Sequence, residues 1–128
     1  IFAILDHDGP VSFLNAGHNP GLLLRSDGSR KELEPSGTIL GMFDDSRYKS
    51  KTLELQAGDV VVLYSDGITE SRNRRKEEFG PERLEAVTRS NADQPTREIH
   101  DHILQAFRTF LEGNEPSDDL TLLVIKKR

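Results

Sequence analysis

Asp66 stands just past an unbroken apolar run, Val60-Val61-Val62-Leu63-Tyr64, and is followed by Gly67. Asp118 and Asp119 stand just before a second run, Leu120 to Ile125. Both runs read as strands, and the first has the composition of a strand buried on both faces. If the two strands are antiparallel neighbours, the end of one lies beside the start of the other. Three carboxylates would then converge on one edge of a sheet, although more than fifty residues separate them in the chain. Like charges at that distance repel, and a bound cation relieves the repulsion. Ligands that are all oxygen favour a hard ion such as Mg²⁺ or Mn²⁺. Gly67 is expected to let the chain turn sharply with no Cβ in the way. A plain structural account stands beside this one. Asp-Gly is a common turn dipeptide, and Asp118-Asp119 after Pro116 also reads as a solvated strand entry or a cap-like turn.

His18, in "NAGHNPG" (Asn15 to Gly21), is the other candidate for chemistry. It has the reach to contact a metal-held water, and it equally suits local hydrogen bonds in a turn rich in Gly, Asn and Pro. His7, His100 and His102 have no chemical company in the sequence. Arg72, Arg74, Arg75 and Lys76 follow Asp66 closely and offer a surface to a phosphoprotein or acidic partner. Glu70, Glu77 and Glu78 are interspersed with them, as in a solvated loop.

Around these residues the chain predicts strands first and helices later. Ile1–Leu5 and Val11–Leu14 flank the turn cluster "DHDGP" (Asp6 to Pro10) as a hairpin. Leu22–Leu24 and Lys31–Leu33 flank "RSDGS" as another. Residues 37–42 read as a short strand or an irregular loop, and residues 51–55 alternate as a half-buried strand does. "QAGD" turns into the run at Val60. After a polar loop at 71–78, Pro81 opens a helix to about residue 90, with Leu84 and Val87 on one face and Phe79 as a staple. Pro95 opens a second helix. In it Ile99, Ile103, Ala106, Phe107, Phe110 and Leu111 recur at three- and four-residue spacing, and Gly113 is its expected C-cap. Strands, then two helices, then a closing strand predict an α+β fold: a mainly antiparallel sheet with two helices on one face.

The 128 residues suit one domain, and a net charge of −5 with no long basic run argues against nucleic-acid binding. Cysteine is absent, which removes disulfides and thiolate metal sites and fits a cytoplasmic setting. No apolar stretch approaches the roughly 18 residues of a membrane span. The chain begins inside a strand-like run with no initiator methionine, and so reads as cut from something longer.

"AGDVVVLYSDGITES", "SDDLTLLVI" and "NAGHNPGLLL" together resemble the PPM-type, metal-dependent serine/threonine phosphatases, in their bacterial SpoIIE-like branch. The three segments stand in the family's order and span nearly the whole chain. The resemblance implies a β-sandwich flanked by helices, with two divalent ions, Mn²⁺ or Mg²⁺, at one end. It implies that a metal-activated water attacks the phosphorus of a phosphoserine or phosphothreonine, with no covalent phosphoenzyme. Asp66 and Asp118 match metal ligands of the family, and Asp119 and His18 fall to helper roles. The family also carries an earlier aspartate that bridges both ions, and no segment here matches it, since Asp6 and Asp8-Gly9 lie in the wrong place. Residues 1–128 therefore read as the C-terminal portion of a phosphatase domain, supplying half of the metal site and inactive alone. The implied substrate is a phosphorylated protein, with an anti-anti-sigma-type regulator as a candidate. The alternative is a degenerate, non-catalytic module that binds a regulatory protein. Absent strands would leave an open sheet edge, through which the chain is expected to self-associate.

Overall fold

A computed structural model describes residues 1–4 and 10–128. The expected turn at Asp6–Gly9, His7 included, lies outside the described residues. Two antiparallel sheets are formed. The smaller has the order β1-β2-β5, from Phe2–Ile4, Val11–Leu14 and Lys51–Leu53. The larger has the order β4-β3-β6-β7, from Arg30–Leu33, Gly21–Leu24, Val60–Tyr64 and Leu122–Lys126. Helices α1 (Asp66–Thr69), α2 (Gly80–Ser90) and α3 (Thr96–Leu111) follow β6.

The run at Val60 is continuous because the four-stranded sheet is covered on both faces, so neither side of the pleat can be polar. Leu22, Leu24, Val60, Val62 and Tyr64 point to one side and join Ile68, Phe79, Leu84, Ile99, Ile103, Phe107 and Leu111 in the core beneath the helices. Leu23 and Val61, the intervening residues, point to the other side and pack with Phe13, Leu33 and Leu53 between the two sheets. Helix α3 buries Ile99, Ile103, Phe107 and Leu111, a strict four-residue stripe. Phe79 stands edge-on to both Phe107 and Phe110, with ring centroids 5.5 and 5.4 Å apart, an arrangement that adds to simple burial.

The α+β expectation holds, with α2 and α3 on one face of the larger sheet. Residues 37–42 take the irregular form of the two expected, with Gly37 bridging to Ala16. Three details differ. Asp66-Gly67 opens a single helical turn, α1, where a sharp turn was expected. The strand expected at 51–55 ends at Leu53, and the last one starts at Leu122. Glu112, at φ 53°, occupies the left-handed C-cap of α3, and Gly113 follows it at φ 88°. Among the described residues, no helix is long and apolar enough to cross a membrane.

Candidate functional site

Strands β6 and β7 are antiparallel neighbours, paired from Val60↔Lys126 to Tyr64↔Leu122. Asp66 follows the last residue of β6 by two positions, and Asp118 and Asp119 precede β7, so all three lie at one end of the sheet. The pairing continues past the strands, where the Ser65 N–H donates to the Thr121 carbonyl at 3.0 Å. Gly67 then comes against the chain of Asp118 and Asp119. A Cβ built on it would stand 2.6 Å from the Asp119 carbonyl oxygen and 3.0 Å from that of Asp118. Gly67 is not at positive φ. The reason for glycine here is close backbone approach, not the sharp turn expected from the sequence.

All three carboxylates are exposed. Asp66 Oδ1 accepts the Gly67 N–H at 2.9 Å, and Asp118 Oδ1 accepts the Asp119 N–H at 2.7 Å. Neither Oδ2 has a partner among the described residues. Among the described residues, no three His, Asp or Glu side chains gather into a ready-made metal site. The backbones converge at one end of the sheet, as the sequence suggested. Two carboxylates with free oxygens, and no soft donor, suit part of the shell of a hard cation, which needs about six oxygens.

The segment "NAGHNP" reaches the same end. Asn19 Nδ2 donates to the Tyr64 carbonyl at 2.9 Å, tying this loop to the last residue of β6. Asn15 is fully buried; its Nδ2 donates to the Leu33 carbonyl, and its Oδ1 accepts the His18 N–H at 2.9 Å. His18 Nδ1 lies 2.9 Å from the Asn19 carbonyl. A carbonyl only accepts, so Nδ1 is the donor in this contact. The basic loop largely neutralises itself, as Arg72 pairs with Glu78 at 2.7 Å and Arg75 with Glu77 at 3.4 Å. His100 and His102 lie on α3, away from this end of the sheet.

Ser65, Ser71 and Ser117 escaped the sequence reading as functional residues. Ser65 Oγ donates to the Asp119 carbonyl and accepts the Thr121 N–H, both at 2.9 Å. Ser71 is fully buried. Its Oγ donates to the Gly67 carbonyl at 2.6 Å and accepts the Ser117 N–H at 3.0 Å. With that one proton committed, Ser117 Oγ must be the donor in its 3.2 Å contact with Ser71 Oγ. The only signal in the sequence was position, since Ser65 and Ser71 flank Asp66-Gly67 and Ser117 precedes Asp118.

A sequence profile of the family described as "Stage II sporulation protein E (SpoIIE)" matches residues 1–128, the whole chain. The chain belongs to the SpoIIE family. Among characterised relatives, Protein IcfG of Synechocystis is 33% identical over 125 residues, covering 97% of this chain and 20% of IcfG. Phosphoserine phosphatase RsbU of Bacillus subtilis is 31% identical over 121 residues, covering 91% of this chain and 35% of RsbU. The chain thus spans a fifth to about a third of these relatives. The structure of the RsbU and RsbW domains of Rv1364c from Mycobacterium tuberculosis superposes with a TM-score of 0.67 at 29% identity, covering 94% of this chain and 33% of that one. The manganese-presoaked phosphatase domain of SpoIIE from Bacillus subtilis shares the fold, with a TM-score of 0.71 at 20% identity, over 98% of this chain and 55% of that one. The SpoIIE-family chain described here therefore has the α+β fold of these phosphatase domains.

Proposed function

We propose that this chain supplies part of a metal-dependent phosphatase site that hydrolyses phosphoserine or phosphothreonine on a regulatory protein. One observation carries the reading. Asp66 and Asp118 stand at the same end of two paired strands, each with a carboxylate oxygen free among the described residues. In this reading Asp66 and Asp118 hold Mn²⁺ or Mg²⁺, and residues outside this chain complete the shell. When bound, such an ion supplies Lewis acidity, activates water near neutral pH and neutralises charge on phosphoryl oxygens. Asp119 stands beside the site as a solvent-exposed helper. His18, held through Nδ1 by the Asn19 carbonyl, is suited to a helper role at the rim. RsbU, a phosphoserine phosphatase by name, supports the phosphoserine substrate. Rv1364c, which carries RsbU and RsbW domains, supports a setting in partner switching, with an anti-anti-sigma-type regulator as the phosphoprotein.

The test is phosphate release from a phosphoserine protein by the full-length polypeptide with Mn²⁺. Asp66→Asn and Asp118→Asn should each remove most turnover and leave the melting temperature unchanged or slightly raised, because each removes a like charge as well as a ligand. Turnover that survives both changes would place the chemistry elsewhere. Regulator binding with no turnover in the unaltered protein would leave a docking module in place of an enzyme.

A further inference from the structure

We infer that Ser65 and Ser71 are positioning residues for the metal site, a hydroxyl clamp that sets the spacing of Asp66 and Asp118 before any ion arrives. The inference rests on the metal-site reading above. The two carboxylates come from segments more than fifty residues apart, so their separation depends on what joins those segments at the site itself. On one side of Asp66, Ser65 Oγ bridges the Asp119 carbonyl and the Thr121 N–H. On the other side, Ser71 Oγ bridges the Gly67 carbonyl and the Ser117 N–H, and accepts the Ser117 hydroxyl. The segment 117–121, which bears Asp118 and leads into β7, is thus gripped at both ends by the residues that flank Asp66. Each hydroxyl both donates and accepts, so neither can leave without orphaning a backbone group on the opposite segment. The ladder hydrogen bond from Ser65 N to the Thr121 carbonyl is a backbone bond that an alanine substitution does not remove, so the strands should stay paired while the turn loses its register. Side chains that orient metal ligands without touching the ion govern affinity through geometry. Ser65 is half-buried at the rim of the sheet, so its removal costs little core packing.

The experiment is Mn²⁺ titration of the full-length polypeptide, followed by the electron paramagnetic resonance of free Mn²⁺, with thermal melts of the same samples. Ser65→Ala and Ser71→Ala should each weaken Mn²⁺ binding roughly 10- to 100-fold, and Ser65→Thr, which keeps the hydroxyl, should restore it. A structural role alone would lower the melting temperature and leave Mn²⁺ affinity at the wild-type value, and that result overturns the clamp. Ser71 is buried, so if Ser71→Ala does not fold, the Ser65→Ala and Ser65→Thr pair decides. Asp66→Asn separates the two levels. If it binds Mn²⁺ like wild type, or wild type binds none, the metal-site reading fails and takes the clamp with it. If Asp66→Asn loses binding while Ser65→Ala does not, the clamp alone fails.

Discussion

Gly67 lies so close to Asp119 that a Cβ added to it would stand 2.6 Å from the Asp119 carbonyl oxygen. The obstructing atoms are backbone, held in turn by the Ser65 hydroxyl, so they cannot swing aside as the tip of a side chain would. Gly67→Ala should therefore push the Asp118–Asp119 segment outward. The expected cost is about 1–3 kcal/mol of stability, together with weaker Mn²⁺ binding in the full-length polypeptide. Denaturant unfolding and a Mn²⁺ titration check it, and an unchanged midpoint and affinity would mean that the segments are not in contact.

At the opposite end of β6, Asp59 is fully buried. Its carboxylate accepts the Gln56 N–H at 2.9 Å, the Ser26 N–H at 2.9 Å and Arg25 at 2.6 Å. Burial alone would push this carboxyl up, but the two N–H bonds and the guanidinium together hold it below the ordinary carboxylate range. A folded-state value below the unfolded one, about 3.9, gives stability that is fully present above pH 4 and lost as the pH falls through the folded value. Urea unfolding from pH 7 down to pH 3 should show this acid loss, and Asp59→Asn should flatten it. Asp59→Ala should cost about 2–4 kcal/mol at pH 7, since it strands Arg25 and two backbone donors. An identical acid slope in wild type and Asp59→Asn would assign the loss to other carboxyls, such as Glu85, which its bonds to Arg89 and Arg30 hold low.

Phe107 is the hub of the helical layer, 1% exposed and edge-on to Phe79. Phe107→Ala should cost about 3–5 kcal/mol, a large part of the 5–15 kcal/mol typical of a domain. The exposed helix position His102 should tolerate alanine within about 0.5 kcal/mol. Chemical denaturation of the two variants side by side tests whether α3 packs on the face seen here.

These 128 residues alone should bind Mn²⁺ weakly and release no phosphate, because two carboxylates cannot complete an oxygen shell. Adding EDTA to the full-length polypeptide should abolish turnover in the same way. The isolated chain should also self-associate. Strand β7 lies at an edge of its sheet, and Leu120, Leu123 and Ile4 are 40%, 50% and 60% exposed, a combination that invites strand pairing with a second copy. Sedimentation run beside a phosphatase assay measures both, and brisk turnover from a monomer would overturn the two expectations together.

The apolar runs at Val60 and Leu122, the stripe from Ile99 to Leu111 and the turn residues between hairpins depend on local periodicity, and the sequence by itself determined the elements that contain them. It also marked Asp66, Asp118 and His18, because a carboxylate or an imidazole at the mouth of a buried strand is unusual wherever the strand goes. Tertiary structure alone decided what those residues meet. Gly67 looked like a turn glycine, and only the Asp118–Asp119 chain lying against it revealed the close approach. Asp66, Asp118 and Asp119 were expected to converge on one sheet edge, and the fold brings their backbones to one end while no ready-made metal cluster forms among the described residues. The serines were invisible because a hydroxyl has no preferred partner in its own neighbourhood. Ser65 finds the Asp119 carbonyl and Thr121 N–H, and Ser71 finds the Ser117 N–H, only once β7 has closed on β6. Periodicity is a property of adjacent residues, whereas a hydrogen bond across forty or fifty positions exists only when the folded chain brings its two ends within about 3 Å.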